Sequence, residues 1–184
     1  DFGNWSKNDF FGFFNSKKNL FLIQQLYNRL NNNRFMLAST LKAVAIHTAL
    51  DMEAIGPDYK SGFGLIQIDK AAALLKNDGN AHLLTEWKLN QGQTKTYTLI
   101  SSGNGPLKAT IAWTDPEGTT SSALNDRTPR LVNDLDIRIS SGSTTYLPFI
   151  LDPGTPDALA VPGDNIRDNV EQIIVNNPLP GQTF

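Results

Sequence analysis

Cysteine is absent from these 184 residues. That excludes disulfides and thiolate metal centres, and it leaves the redox compartment open. Histidine is nearly absent too: the two present, His47 and His82, both fall in the first half of the chain, which points away from zinc or copper. There is no surplus of positive charge. Lys and Arg number 16 against 18 Asp and Glu, the formal net charge is -2, and the basic residues are not clustered, so the electrostatic footprint of a nucleic-acid binder is missing. Long apolar runs are missing as well. "FFGFF" (10–14) and "LFLI" (20–23) fall far short of the roughly 20 residues that span a bilayer, and no membrane partner is expected. No basic segment precedes an apolar stretch at the start, so the signal of an exported protein is expected to lie outside this chain. Neither a G-x-S-x-G elbow nor an EF-hand calcium loop occurs.

What is present is the composition of a globular protein, with 40% hydrophobic and 18% charged residues and enough length for one or two domains with a real core. Two grammars follow one another. Residues 1–84 read as helical. Leu22, Ile23, Leu26, Tyr27 and Leu30 recur at a helical period, and the Asn run at 31–33 should end that helix. "STLKAVAIHTAL" (39–50) reads as a second helix capped by Ser39 or Thr40, with Leu41, Val44, Ala45, Thr48 and Ala49 inward. After a turn and a short apolar strand (56–69), Asp69 should cap a third helix, "KAAALLK". Residues 85–184 read as short strands between turns: 93–100, 107–113, 131–139, 144–151 and 170–175, with "QTF" (182–184) opening a further one. Strands without helices between them suggest an antiparallel sandwich or barrel. The whole is expected to be α+β.

The stretch "LVNDLDIRI" (131–139) puts Asp134 and Asp136 on one strand face, about 6.5–7 Å apart. The loop at 162–172 adds Asp164, Asn165, Asp168, Asn169 and Glu171. Carboxylate and amide oxygens in that mixture suit Ca²⁺, which takes about six to eight of them. The plainer alternative has these aspartates accepting turn N–H groups with Arg138 as their ionic partner, and spacing alone favours it. His47 is expected as a core or edge residue of its helix, His82 as solvated, Trp113 as core and Trp5 at an interface. Gly62 and Gly64 of "SGFGL" (61–65) are expected to serve backbone packing, and "GNGP" (103–106) a turn.

Several of these stretches, taken in order, resemble the C-terminal region of subtilisin-like serine peptidases. "LKAVAIHTA" (41–49), "GPDYKSGFG" (56–64) and "DKAAA" (69–73) are similar to the helices and loop that follow the catalytic serine in that family. "PLKATIAWTDPEG" (106–118), "LVNDLDIRI" and "DNVEQIIVNNPLPGQTF" (168–184) resemble the β-sandwich appended to one branch of it, in the style of the P-domain of proprotein convertases. The resemblance covers roughly residues 20–184. It departs at the nucleophile: Phe13 stands about where the G-T-S serine belongs, Gly12 is the single echo, and the family's Asp and His would lie upstream. No catalytic residue is therefore expected in this chain.

The resemblance implies that residues 1–84 are the last helices of a subtilisin-type α/β domain and that 85–184 form a jelly-roll-like sandwich. It implies a secreted serine endopeptidase as the parent, with a protein substrate. It also implies structural Ca²⁺ in the sandwich, with Asp134, Asp136, Asp164 and Asp168 as the ligands to bet on. The implied partner of this chain is the rest of the catalytic domain or a second copy, because helices cut from their sheet expose an apolar face. The competing readings are a non-enzymatic sandwich that binds carbohydrate or protein, and an inactive peptidase relative acting as a scaffold.

Overall fold

A computed structural model describes the backbone of residues 7–184 and the side chains from residue 18 onward. Trp5 and the side chains of the segment around Phe13 lie outside the described residues. The chain is mixed α+β and divides into two compact units. One takes in the chain up to Leu50 together with Leu65–Glu86; the other comprises Asp51–Gly64 and Trp87–Phe184.

The first unit holds α1 (Lys7–Leu30), α2 (Ala38–His47) and α3 (Ile68–Lys76). The Asn run ends α1 as its chemistry requires. Asn32 and Asn33 take positive φ angles of 51° and 61°, which Asn tolerates better than most residues, and the Asn31 side-chain amide donates to the Tyr27 carbonyl. The start of α2 differs from the sequence expectation. Neither Ser39 nor Thr40 is its N-cap; Leu37 occupies that position without a capping side chain. Glu86, distant in sequence, does the work instead: its Oε1 accepts the Leu37 N–H at 2.8 Å and the Thr40 hydroxyl at 2.5 Å. In α3, Asp69 lies inside the first turn rather than at the cap, where its charge still favours the helix dipole. Ile23, Met36, Val44, Ala71, Leu74 and Leu75 form the buried core, flanked by Leu26, Tyr27, Leu41, Ile66, Ile68 and Leu84. Each large side chain there is worth about 1.5–3 kcal/mol when fully buried. Leu50 and Leu65 exchange both backbone hydrogen bonds at 2.8 Å, which is all that forms of the short strand expected after Gly64.

The second unit holds three two-stranded antiparallel sheets. In the first, β1 (Leu107–Ala112) pairs with β6 (Val170–Val175), from Leu107 opposite Val175 to Ala112 opposite Val170. β2 (Ile139–Ser141) pairs with β3 (Thr144–Tyr146), and β4 (Phe149–Ile150) pairs with β5 (Val161–Pro162). The run 144–151 is split between β3 and β4 because Pro148, in the gap, has no N–H for a ladder. β6 is buried along almost its whole length, and Trp113, Val170, Ile173 and Val175 are buried apolar side chains of this unit. Gly56, at φ +100°, lets the backbone lie against the Phe149 ring, since an added Cβ would sit 3.0 Å from that ring.

Two expected strands do not form ladders. Residues 93–98 stay exposed and join no ladder, and the end of that run pairs through its backbone: Leu99 and Phe184 exchange both backbone bonds at 2.9 Å, and Ser101 N–H donates to the Gln182 carbonyl. "QTF" thus does close against an earlier segment. The 131–138 stretch shows the period-2 burial of a strand only from Asp134 on, with Leu135 and Ile137 inward and Asp134, Asp136 and Arg138 outward; Val132 and Asn133 are both exposed, and only Ile139 enters a sheet. Side chains, rather than a neighbouring strand, take up the backbone groups of Val132, Asn133 and Ile137.

Candidate functional site

Three short motifs, far apart in the chain, are tied together by those side chains. The Asp115 carboxylate accepts the Val132 and Asn133 backbone N–H groups, each at 2.8 Å, and the Asn133 side-chain amide at 2.9 Å. These bonds hold its pKa below the ordinary carboxylate value, with the Val132 bond the largest cause. The Trp113 indole N–H donates to the Asn133 carbonyl at 2.9 Å, and the Asn169 side-chain amide donates to the Trp113 carbonyl at 2.8 Å. Gly118 admits the close approach of this loop, because a Cβ there would meet the Arg130 carbonyl oxygen at 2.3 Å. "WTD" (113–115), "LVND" (131–134) and "NVE" (169–171) are therefore one hydrogen-bonded unit.

Glu171 lies at the inner edge of that unit. It is 1% exposed. Its Oε2 accepts the Ile137 N–H at 2.8 Å, while Oε1, also buried, has no partner among the described residues. Burial is the main cause that pushes its pKa up, to about 7; the Ile137 bond opposes the shift, and the charge of Asp136 adds to it. A half-satisfied buried carboxyl is far better tolerated neutral than ionised.

On the outer face, Arg138 joins two of the aspartates singled out from the sequence. Its Nη2 lies 2.7 Å from Asp164 Oδ1 and 3.2 Å from Asp136 Oδ1. The bond to Arg138 is the first cause holding the Asp164 pKa down. Asp134 makes no such bond; burial first, then the nearby charges of Asp136 and Asp164, push its pKa up. Asp168 stands apart from these three: its Oδ2 accepts the Asn165 side-chain amide at 3.2 Å, inside its own loop. The structure thus gathers Asp134, Asp136 and Asp164 around Arg138 and leaves Asp168 elsewhere. Among the described residues, no three Asp, Glu or His side chains stand together as a metal-holding group.

Sequence reasoning did not pick out Asp115 or the central place of Glu171. A signal for Glu171 was present, since a charged residue in the apolar run "VEQIIV" must be exposed or specially held. Nothing in the spacing could say that Glu171 would meet Ile137, 34 residues away. His82 is half-buried rather than solvated, and its carbonyl accepts the Gly79 N–H at 2.8 Å. No helix among the described residues is long and apolar enough to cross a membrane. No protein-family model matches the chain, and no curated protein matches it.

Proposed function

We propose that this chain is the C-terminal part of a secreted subtilisin-like serine endopeptidase. It supplies helices that pack on the catalytic sheet and a β-sandwich that supports stability or substrate docking. The observation that carries the reading is the apolar surface left open on the helical unit. Phe21 is 66% exposed, Phe35 70% and Leu37 55%, beside a core that is otherwise well closed. Side chains of that size are expected to be covered by a partner, and a sheet from the rest of the catalytic domain has the right chemistry to cover them. The joining of "WTD", "LVND" and "NVE" supports the same reading, since the stretches that carry the family resemblance in the second half are those that depend on one another.

The test compares two proteins. The 1–184 chain is expected to be inert toward casein, because it holds no nucleophile motif. The protein encoded with its upstream sequence is expected to cleave casein and to be labelled by a serine-directed phosphonate. Phosphonate-sensitive turnover by the short chain, or an upstream sequence without D-[ST]-G, H-G-T-H-V and G-T-S segments, would overturn the proposal. The rival reading as a carbohydrate-binding module draws on the exposed pair Trp87 and Tyr97, which are hydrogen-bonded to each other with Lys95 Nζ 3.8 Å from the Trp87 ring centre. Retention of the short chain on immobilised polysaccharide, lost in Trp87→Ala, would favour it.

The implied Ca²⁺ belongs to this proposal. Asp134, Asp136 and Asp164 offer oxygen ligands of the right kind, and the repulsion felt by Asp134 together with the partnerless Glu171 Oε1 favours a cation nearby. As positioned, however, Asp136 and Asp164 hold Arg138, so an ion would compete with that guanidinium, and Asp168 would have to come from outside the cluster. An ion bound only by the folded state adds about 2.7 kcal/mol at 100-fold over Kd. Chelator is therefore expected to lower the melting temperature of the wild type and to leave Asp134→Ala unmoved; identical melting curves with and without chelator would remove calcium from the account.

A further inference from the structure

We infer that Asn104 is a site of spontaneous deamidation, and that the turn carrying it is where the folded chain ages chemically. Asn104 is the one Asn in the sequence followed by Gly. Both Asn104 and Gly105 are exposed, in the turn between Ser101 and β1. The reaction needs a backbone N–H that solvent base can reach and a side-chain amide free to meet it. Among the described residues the Gly105 N–H donates to no group and the Asn104 side chain has no hydrogen-bonding partner. Nothing lies within 4 Å of where a Gly105 Cβ would be, so the space beside this residue is open. Other Asn side chains are held: Asn77 Nδ2 donates to the Ala73 carbonyl at 2.8 Å, and Asn31 Nδ2 to the Tyr27 carbonyl at 3.0 Å.

The chemistry requires only water. The Gly105 nitrogen gives its proton to solvent base and bonds to Cγ of Asn104. The Cγ–Nδ2 bond breaks, and that nitrogen leaves as ammonia after taking up a proton. A five-membered succinimide remains. Water adds to one of its two carbonyl carbons and the ring C–N bond there breaks. One opening gives an aspartate; the other gives an isoaspartate, in which the backbone runs through the former side-chain carbon. Either product adds a negative charge, and the second also lengthens the main chain inside the turn. That matters here because the turn is closely packed: a Cβ on Gly103 would sit 2.5 Å from Pro180, in the segment leading to the 182–184 pairing with 99–101.

Trypsin isolates the site, since Lys95 and Lys108 bracket a peptide (96–108) whose sole Asn is Asn104. The intact 1–184 chain, held folded at mildly alkaline pH and then digested, is expected to yield that peptide as a pair of new species, each one mass unit heavier and resolved chromatographically as the two aspartyl isomers. The neighbouring 89–95 peptide, which contains Asn90, is expected to stay unmodified and serves as the internal standard. In Asn104→Gln the new species should vanish. Hydrogen exchange on the aged protein should show lost protection at the Leu99 and Ser101 amides. An unmodified 96–108 peptide after the same incubation, or heavier species that persist in Asn104→Gln, overturns the assignment of the site; unchanged exchange at Leu99 and Ser101 overturns its consequence for the pairing.

Discussion

Raising the pH from about 4.5 to about 7 is expected to lower the stability of the second unit, through Glu171 alone, by up to about 3 kcal/mol. The sign follows from which state holds the proton. In the folded chain the Glu171 carboxyl stays protonated up to about 7, whereas in the unfolded chain it ionises near the ordinary 4.5. Below the lower value both states are protonated and the contribution is complete. Between the two values only the folded state binds the proton, so each rise in pH favours unfolding. Above about 7 both are ionised and the slope disappears. Asp115 and Asp152 act in the opposite sense, because their folded pKa values are depressed by hydrogen bonds from Val132 and from Gly154, the first cause in each case. Their contribution is present above the ordinary carboxylate value and is lost as pH falls through the folded ones. Stability should therefore peak in mildly acidic solution. Urea unfolding followed by tryptophan fluorescence across that range measures the profile. Glu171→Gln keeps an oxygen to accept the Ile137 N–H and removes this titration, so the downward slope of its profile between about 4.5 and 7 should be much shallower than that of the wild type. A Gln variant with the same downward slope as the wild type would show that another group is responsible.

Trp113→Ala is expected to be the most damaging truncation in the second unit, at about 3–5 kcal/mol. Two losses combine. A large, 9% exposed aromatic leaves a cavity, and the Asn133 carbonyl loses the indole N–H that it accepts. Because Asn133 also donates its backbone N–H to Asp115, losing the indole should loosen the 131–138 segment as one piece rather than cost a single contact. Trp113→Phe separates the two losses: it keeps much of the ring volume and removes the donor, and should fall near 1–2 kcal/mol. Chemical denaturation gives both values. If Trp113→Ala were no worse than Trp113→Phe, the cavity would not be the dominant loss.

The two predictions meet in the 131–138 segment, which shows why part of this protein was legible in its sequence and part was not. The helix periods of α1, α2 and α3, the Asn stop after Leu30, β1 and β6, and the alternating burial of 134–138 all follow from local rules: side-chain spacing, turn residues and the pleat. The composition likewise excludes thiolate chemistry, since no fold can supply cysteine thiolates to a chain without cysteine. Local rules do not choose partners. They could not say that Glu86 would serve α2 in place of Ser39 or Thr40, that 93–98 would find no ladder, or that the N–H groups of Val132, Asn133 and Ile137 would be taken by Asp115 and Glu171 instead of a neighbouring strand. Nor could they say that Asp134, Asp136 and Asp164 would collect around Arg138 while Asp168 turned to Asn165. Each of those outcomes is a competition among distant hydrogen-bonding groups, and a buried donor or acceptor takes whichever partner the packed chain brings within reach.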